Sequence, residues 1–405
     1  MLRRGLWLGS LLFAAAFVAC VSNHDALEKK PPGRGGGGAG GSSASAGAPS
    51  HLGGFGGEAA NAGGHADDEP PGESVLTIVN GLVDAPRVAL CLAKLDADGN
   101  VTPLGSPLTD APLEYGQSWV LREVDGVDFA SEGLEPIVIA GELDLIAGLD
   151  CEAAIERARS EEARADAGGE LGAGGAAADG NGMSVPGAAG EGGGAGEGGG
   201  AAVRPAVRSL LRVRGLPAIS AGTLDAGRSL VFVANGCLGG ATYDGADAAL
   251  YCGAGYGPRA PTADAVLISL SRQVSADHVA LQVVHASLAT SRVELRSRPP
   301  FPSKATGIAI ASVVFGQVAP RPASIQNTLF DLGSSRMYDV SVYDQGSDSV
   351  LFSQNWSRVL AHGGLSQLND GEGYALVLSG PRPDLKAVAD TWNAATLTAI
   401  AVNPK

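Results

Sequence analysis

Two stretches decide the fold: Leu76–Leu90, LTIVNGLVDAPRVAL, and Leu281–Leu295, LQVVHASLATSRVEL. They align without a gap and share Leu, Val, Arg, Val and Leu at equivalent places. The echo continues in order along the chain. Tyr115-Gly116-Gln117 matches Phe315-Gly316-Gln317, and the apolar run Pro136–Ala140 matches Tyr338–Tyr343. Further on, GRSLVFVANG at Gly227–Gly236 matches GEGYALVLSG at Gly371–Gly380. Self-similarity in a fixed order marks a duplicated unit. The offset is 205 residues at the first match and 144 at the last, so the first copy carries about sixty extra residues. Those are a helical segment and a Gly-rich tract, read here as an insertion inside the first copy.

Within both copies, apolar and polar residues alternate in short runs separated by turn signals, the pattern of antiparallel strands. Strands are predicted at Val75–Val79, Arg87–Lys94, Ser118–Leu121, Pro136–Ala140, Leu210–Val213 and Leu230–Ala234. Asp98-Gly99 between Leu95 and Val101 signals a hairpin turn. One helix stands out, from Asp150, a candidate cap, through CEAAIERARSEEA to about Ala163.

Outside these units the composition changes. From Val21 to about Gly72 the chain is mostly Gly, Ala, Ser and Pro, and a second tract of the same kind runs from about Ala163 to Ala202. Such segments bury too little apolar surface to offset their ordering entropy, so both are expected to be disordered. The Gly-Gly runs are not phosphate loops, because no apolar strand precedes them and no Lys-Ser or Lys-Thr closes them. With 60 glycines set largely in these tracts, roughly 280 residues are left to pack.

The first residues carry an address. Arg3 and Arg4 precede an uncharged apolar run from Gly5 to Ala19, and Cys20 follows Phe17-Val18-Ala19. The run suits a secretion signal and is short for a spanning helix, which needs about 20 residues. Phe17-Val18-Ala19-Cys20 resembles the bacterial lipobox, which implies cleavage before Cys20 and lipid on its sulfur. Phe17 stands where that pattern usually has Leu. An ordinary signal with an incidental Cys is the alternative. Two or more acyl chains make a stable anchor. Val21, rather than Asp, after Cys20 resembles the enteric rule for sorting to the outer membrane.

Setting Cys20 aside leaves Cys91, Cys151, Cys237 and Cys252, an even number in a chain bound for an oxidising compartment. Three pairings are open. Cys237 with Cys252 is preferred because the loop between them is short and Gly-rich, which leaves Cys91 with Cys151. Four buried thiols are the alternative. Zinc is disfavoured, since no spacing is Cys-x-x-Cys and no His flanks them.

Val79-Asn80 followed by Asp84-Ala85-Pro86-Arg87-Val88, and Val284-His285-Ala286-Ser287 followed by Arg292-Val293-Glu294, resemble the repeats of the bacterial domain of unknown function 4397 (DUF4397). Those repeats open with Val-x-His/Asn-Ala-Ser, a Pro-Asp-Ala-Pro turn and a Val-Asp-Val strand. Val83 stands in place of the first turn Pro, the second copy lacks the turn prolines, and Ala89 replaces the Asp. The resemblance implies an immunoglobulin-like or related β-sandwich and no activity. The fold class expected is therefore mainly β: two immunoglobulin-like sandwich repeats with one helical, Gly-rich insertion, behind a disordered tether. The divisions are a signal peptide at 1–19, the tether at 20–73, the first repeat at 74–272 with its insertion at about 141–205, and the second repeat at 273–405.

Candidate chemistry is thin. His285 ends a strand and is the best single polar candidate, but its counterpart is Asn80, and both residues can bond turn backbone. His24, His51, His65, His278 and His362 have no neighbour at metal-ligand spacing. Asp96, Asp98 and Asn100 hint at a calcium loop, yet Gly99 falls too early and Pro107 occupies the twelfth position, so a hairpin turn is favoured. Gly41-Ser42-Ser43-Ala44-Ser45 lacks the Gly-x-Ser-x-Gly elbow of serine hydrolases. Trp119, Trp356, Tyr338 and Tyr343 suit core packing, with sugar binding as the alternative. Asn355-Trp356-Ser357 is a glycosylation triplet by letter only. A net charge of -15 argues against nucleic acid. No cofactor, metal or catalytic site is expected. The expected protein is an outer-membrane lipoprotein whose ectodomain binds an envelope glycan or surface protein, or has a structural role. The rival class is a hydrolase of envelope polymers, which requires acidic or His side chains converging in a cleft.

Overall fold

The chain was studied as a computed structural model, which describes residues 73–404 except 97, 106, 108–110, 123–126, 128–130, 171–210, 225–226, 241–246, 258–259, 299–307, 320–322, 326–338 and 389–391. The first repeat contains β1 (Val75–Asn80), β2 (Arg87–Leu95), β3 (Val101–Pro103), β4 (Leu113–Glu114), β5 (Ser118–Leu121), β6 (Gly133–Gly141), α1 (Cys151–Glu170), β7 (Leu211–Gly215), β8 (Ser229–Asn235), α2 (Ala248–Cys252) and β9 (Asp264–Leu270). The second contains β10 (Val279–Ser287), β11 (Arg292–Arg298), β12 (Ile308–Val314), β13 (Ala323–Ile325), β14 (Asp339–Asp344), β15 (Val350–Asn355), α3 (Trp356–His362), β16 (Gly373–Gly380) and β17 (Thr396–Ala401). The protein is mainly β, as its alternating apolar pattern predicts.

Each repeat folds into two layers, four- and five-stranded in the first repeat and both four-stranded in the second, and the strand orders correspond. One layer runs β5-β1-β8-β9 in the first repeat and β13-β10-β16-β17 in the second. The other runs β3-β2-β6-β7, with β4 also on β2, and β12-β11-β14-β15. In both copies the opening strand pairs parallel with the last strand but one, β1 with β8 and β10 with β16. β12 is continuous, while its counterpart is broken into β3 and β4.

Burial explains the run composition of the central strands. Every residue of β1, β8, β10 and β16 is buried. One face of each points into its own sandwich: Leu76, Ile78, Leu230 and Phe232 meet Leu90, Leu92 and Val138 of the facing layer. Leu281, Val283, Leu376 and Leu378 likewise meet Val293, Leu295, Val340 and Val342. The opposite faces meet each other. Val79, Val231, Val233, Ile268 and Leu270 of the first repeat pack on Val284, Ala286, Ala375, Val377, Ile400 and Val402 of the second. A strand covered on both sides needs apolar residues at consecutive positions, which is why LVFVA and YALVL lose the alternation seen elsewhere. The two repeats therefore share an interface built from the same face of equivalent strands.

The outer layer of the first repeat is covered by α1. Cys151, Ala154, Ile155 and Ala158 recur at one helical face and pack on Cys91, Ile137, Ile139, Leu211 and Val213. Asp150 caps the helix, its Oδ1 accepting from the Ala153 N–H at 2.8 Å. The helix extends to Glu170, beyond the predicted end near Ala163, carried by further good formers at Arg164, Ala165 and Ala167. Glu162 Oε1 accepts the Val213 N–H at 3.2 Å and pairs with Arg214 at 3.1 Å, fastening α1 to the edge strand β7. The disulfide Cys91–Cys151, 60 residues apart in sequence, fastens its start to β2.

Candidate functional site

His285 was the leading polar candidate, and its surroundings are those of a turn-former. Its Nδ1 accepts the Ser287 N–H at 3.3 Å and its Nε2 donates to the Thr290 carbonyl at 3.0 Å. Asn80 makes the same pair of bonds: Oδ1 accepts the Leu82 N–H at 3.2 Å and Nδ2 donates to the Ala85 carbonyl at 3.4 Å. Both residues also hold the next turn by backbone. Gly116 N–H donates to the Asn80 carbonyl at 2.7 Å, and Gly316 N–H donates to the His285 carbonyl at 2.7 Å. The glycines in these turns have φ of 78° and 73°, a region costly for other residues. An imidazole with one nitrogen accepting and the other donating is neutral. Burial holds its pKa down at about 4, against an ordinary 6.5, and the bond to Thr290 only partly opposes this.

A well-connected buried polar group is Asp84, in the turn after β1. Its carboxylate accepts N–H groups from Leu238 at 2.9 Å and Gly239 at 3.0 Å, and pairs with Arg212 at 2.7 Å. Arg212 in turn donates to the Gly239 carbonyl at 2.7 Å and to the Asp84 carbonyl at 2.9 Å. This ties β7, the β1–β2 turn and the segment after β8 together inside one repeat. A buried pair is tolerated when its remaining hydrogen-bonding capacity is met, as here. Asp84 drew notice only as part of a turn motif. Nothing in the sequence pointed to Arg212, since a lone Arg on a strand ordinarily faces solvent.

The remaining candidates also resolve into structure. Asp96 accepts from Asp98 N–H at 2.9 Å, Asn100 N–H at 2.8 Å and the Asn100 side chain at 2.9 Å, so its oxygens close the β2–β3 hairpin. The Asn100 side-chain bond is the first cause holding its carboxyl below the ordinary range. Among the described residues, no group of three or more His, Cys, Asp or Glu side chains is placed to hold a metal. Trp356 is buried, with Nε1 donating to Ser297 Oγ at 3.2 Å. Tyr343 is buried beneath the Arg296 guanidinium, 4.3 Å from its ring centre. Trp119 packs partly buried against the first core. Asn355 of the Asn-Trp-Ser triplet caps α3, accepting the Ser357 N–H at 2.9 Å. Half-buried His362 bonds Thr396 Oγ1 at 3.1 Å, and burial is the first cause lowering its pKa. Cys20, His24, His51, His65, Tyr338, the signal segment, the tether and most of the second Gly-rich tract lie outside the described residues.

The four remaining cysteines form two disulfides, Cys91–Cys151 and Cys237–Cys252, the preferred pairing. The second, with a sequence separation of 15, sits in a cluster that contains residues of both repeats. There Tyr251 stacks on Trp392 at 4.7 Å between ring centres, above Val83, Leu288 and Leu385.

No family model and no curated protein matches the chain. Among solved structures, the tip fimbrial protein Mfa3 from Porphyromonas gingivalis aligns over 82% of this chain and 100% of its own, with 9% identity and a TM-score of 0.16. A likeness that low carries no argument about fold or role. Among the described residues, no helix is long and apolar enough to cross a membrane.

Proposed function

We propose that the chain is a lipoprotein, anchored through Cys20 to the outer membrane, whose ectodomain is a non-enzymatic binding or envelope-structural module of the DUF4397 kind. The observation that carries this reading is the pair of disulfides, Cys91–Cys151 and Cys237–Cys252, in a chain that opens with a secretion signal and a lipobox. Disulfides persist in oxidising compartments, and the residues before Cys20 supply the route there. The use of His285, Asp84 and Asp96 in turns and in a buried ion pair supports a scaffold role for these polar groups.

Two experiments test it. Intact mass of the protein from detergent-extracted membranes should begin at Cys20, carry acyl chains and rise by about four hydrogens on reduction. An unacylated mass would remove the anchor. Purified oxidised ectodomain should then co-sediment with peptidoglycan sacculi or be retained on immobilised envelope glycan or surface protein. Failure on all three, together with hydrolysis of any of these polymers, would favour the enzyme class instead.

A further inference from the structure

We propose that the disulfide Cys237–Cys252 is a conformational lock that keeps the second repeat's loop between β16 and β17 docked on the first repeat, and that opening it frees this loop while both sandwiches stay folded. Cys237 follows β8 after Gly236, and Cys252 ends α2. A five-residue helix has no stability of its own, so α2 owes its placement to what fastens it. Thr262 adds a clasp across the two half-cystines. Its hydroxyl donates to the Cys252 carbonyl at 2.6 Å and accepts the Cys237 N–H at 3.3 Å, while its own N–H donates to the Cys237 carbonyl at 3.0 Å.

Next to Cys252, at the end of α2, stands Tyr251. Its ring stacks on Trp392, and its hydroxyl donates to the Lys386 carbonyl at 2.9 Å, both in the second repeat. Two further bonds tie the same β16–β17 loop to the first repeat's β1–β2 turn, from the Asn393 N–H and side-chain amide to the Val83 carbonyl at 2.8 and 2.9 Å, and Val83 packs in the same apolar cluster as Cys237, Tyr251, Cys252 and Trp392. The two corresponding connections are thus unequal. The one after β8 is covalently closed, whereas 381–395 contains no cysteine and leans on it. The other disulfide lies elsewhere, between β2 and α1, and supplies the control.

Opening the lock by a dithiol reductant transfers two electrons and two protons: the S–S bond breaks, two S–H bonds form, and the dithiol becomes a disulfide. Both sulfurs belong to buried residues, so exchange requires α2 to lift first.

The test is hydrogen exchange on the full ectodomain, comparing wild type with C237S/C252S and with C91S/C151S. In C237S/C252S the Asn393, Trp392 and Leu238 amides should exchange at least tenfold faster, with Leu376–Leu378 of β16 unchanged. C91S/C151S should leave Asn393 and Trp392 at their wild-type rates. Unchanged Asn393 exchange in C237S/C252S overturns the proposal, as does equal acceleration in β16, which would make the disulfide a general brace. Should C237S/C252S fail to fold, folded C91S/C151S exposed to dithiothreitol, in which Cys237–Cys252 is the one of the two disulfides left to reduce, gives the same readout, judged by the same criteria.

Discussion

Replacing His285 by Asn tests whether the two turns are interchangeable and whether a buried neutral imidazole governs acid stability. The folded pKa is about 4 and the ordinary value is 6.5, so between these the unfolded chain binds more protons than the folded one. The sign follows from linkage. Stability from this group is complete above about pH 6.5 and is lost as pH falls towards about 4, with a slope approaching 1.4 kcal/mol per pH unit. Across the window the loss amounts to about 3 kcal/mol. No discount for solvent applies, because the residue is 0% exposed. Asn can accept from the Ser287 N–H and donate to the Thr290 carbonyl as Asn80 does in its own turn, and it does not titrate. Urea unfolding followed by tryptophan fluorescence at pH 7, 6, 5 and 4 gives the comparison. The other acid-sensitive groups, His362 among them, are common to both proteins and cancel in the difference. Wild type should lose about 3 kcal/mol relative to H285N between pH 7 and 4. Parallel curves would falsify the assignment of a buried neutral His285.

Other perturbations probe the remaining devices. Asp84→Ala strips the partner from buried Arg212 and from two amides, and should cost about 3–5 kcal/mol in urea unfolding, with much of it recovered in D84A/R212M. Asn355→Ala should cost about 1 kcal/mol by loss of the α3 cap, whereas Asn355→Asp should be nearly neutral. Gly99→Ala, at φ 82° in open space, should cost about 1–2 kcal/mol. Gly236→Ala, at φ 79° with its new Cβ 2.1 Å from the Thr262 carbonyl oxygen, should cost clearly more, read as the larger drop in melting temperature.

The duplicated fold was legible because the turns demand particular residues. Gly116 and Gly316 hold positive φ at equivalent points, and Asn80 and His285 bond equivalent backbone, so chemistry keeps these positions recognisable where the strands between them have drifted. Helix α1 was legible because strong helix formers follow a capping Asp150. Helices α2 and α3 span five and seven residues, too few for a period to register. The alternating-strand reading did not anticipate that LVFVA and YALVL are covered on both faces, and a run of apolar residues does not name what covers the second face.

The polar core was hidden for a different reason. Asp84 and Arg212 lie 128 positions apart, joined only by the path of the folded chain, and single residues of such common types leave no pattern. The second repeat shows how such devices part company once a unit is duplicated. At the place corresponding to Asp84 it has Ala289, at φ 56°, and it carries neither of the two disulfides. The first repeat thus keeps the ion pair, both cross-links and the covering helix, while the second gains support at its unlinked 381–395 loop from Tyr251 and Val83 of the first. This division makes a directional claim about stability. Opening the Cys237–Cys252 fastening should reach the second repeat at its 381–395 loop, which has no cross-link of its own. The same logic predicts that Trp392→Ala, which removes the second repeat's side of the stack, should leave the Asp84–Arg212 network intact. Leu238 and Gly239 amide exchange under native conditions measures that, and acceleration at those amides would show the dependence running both ways.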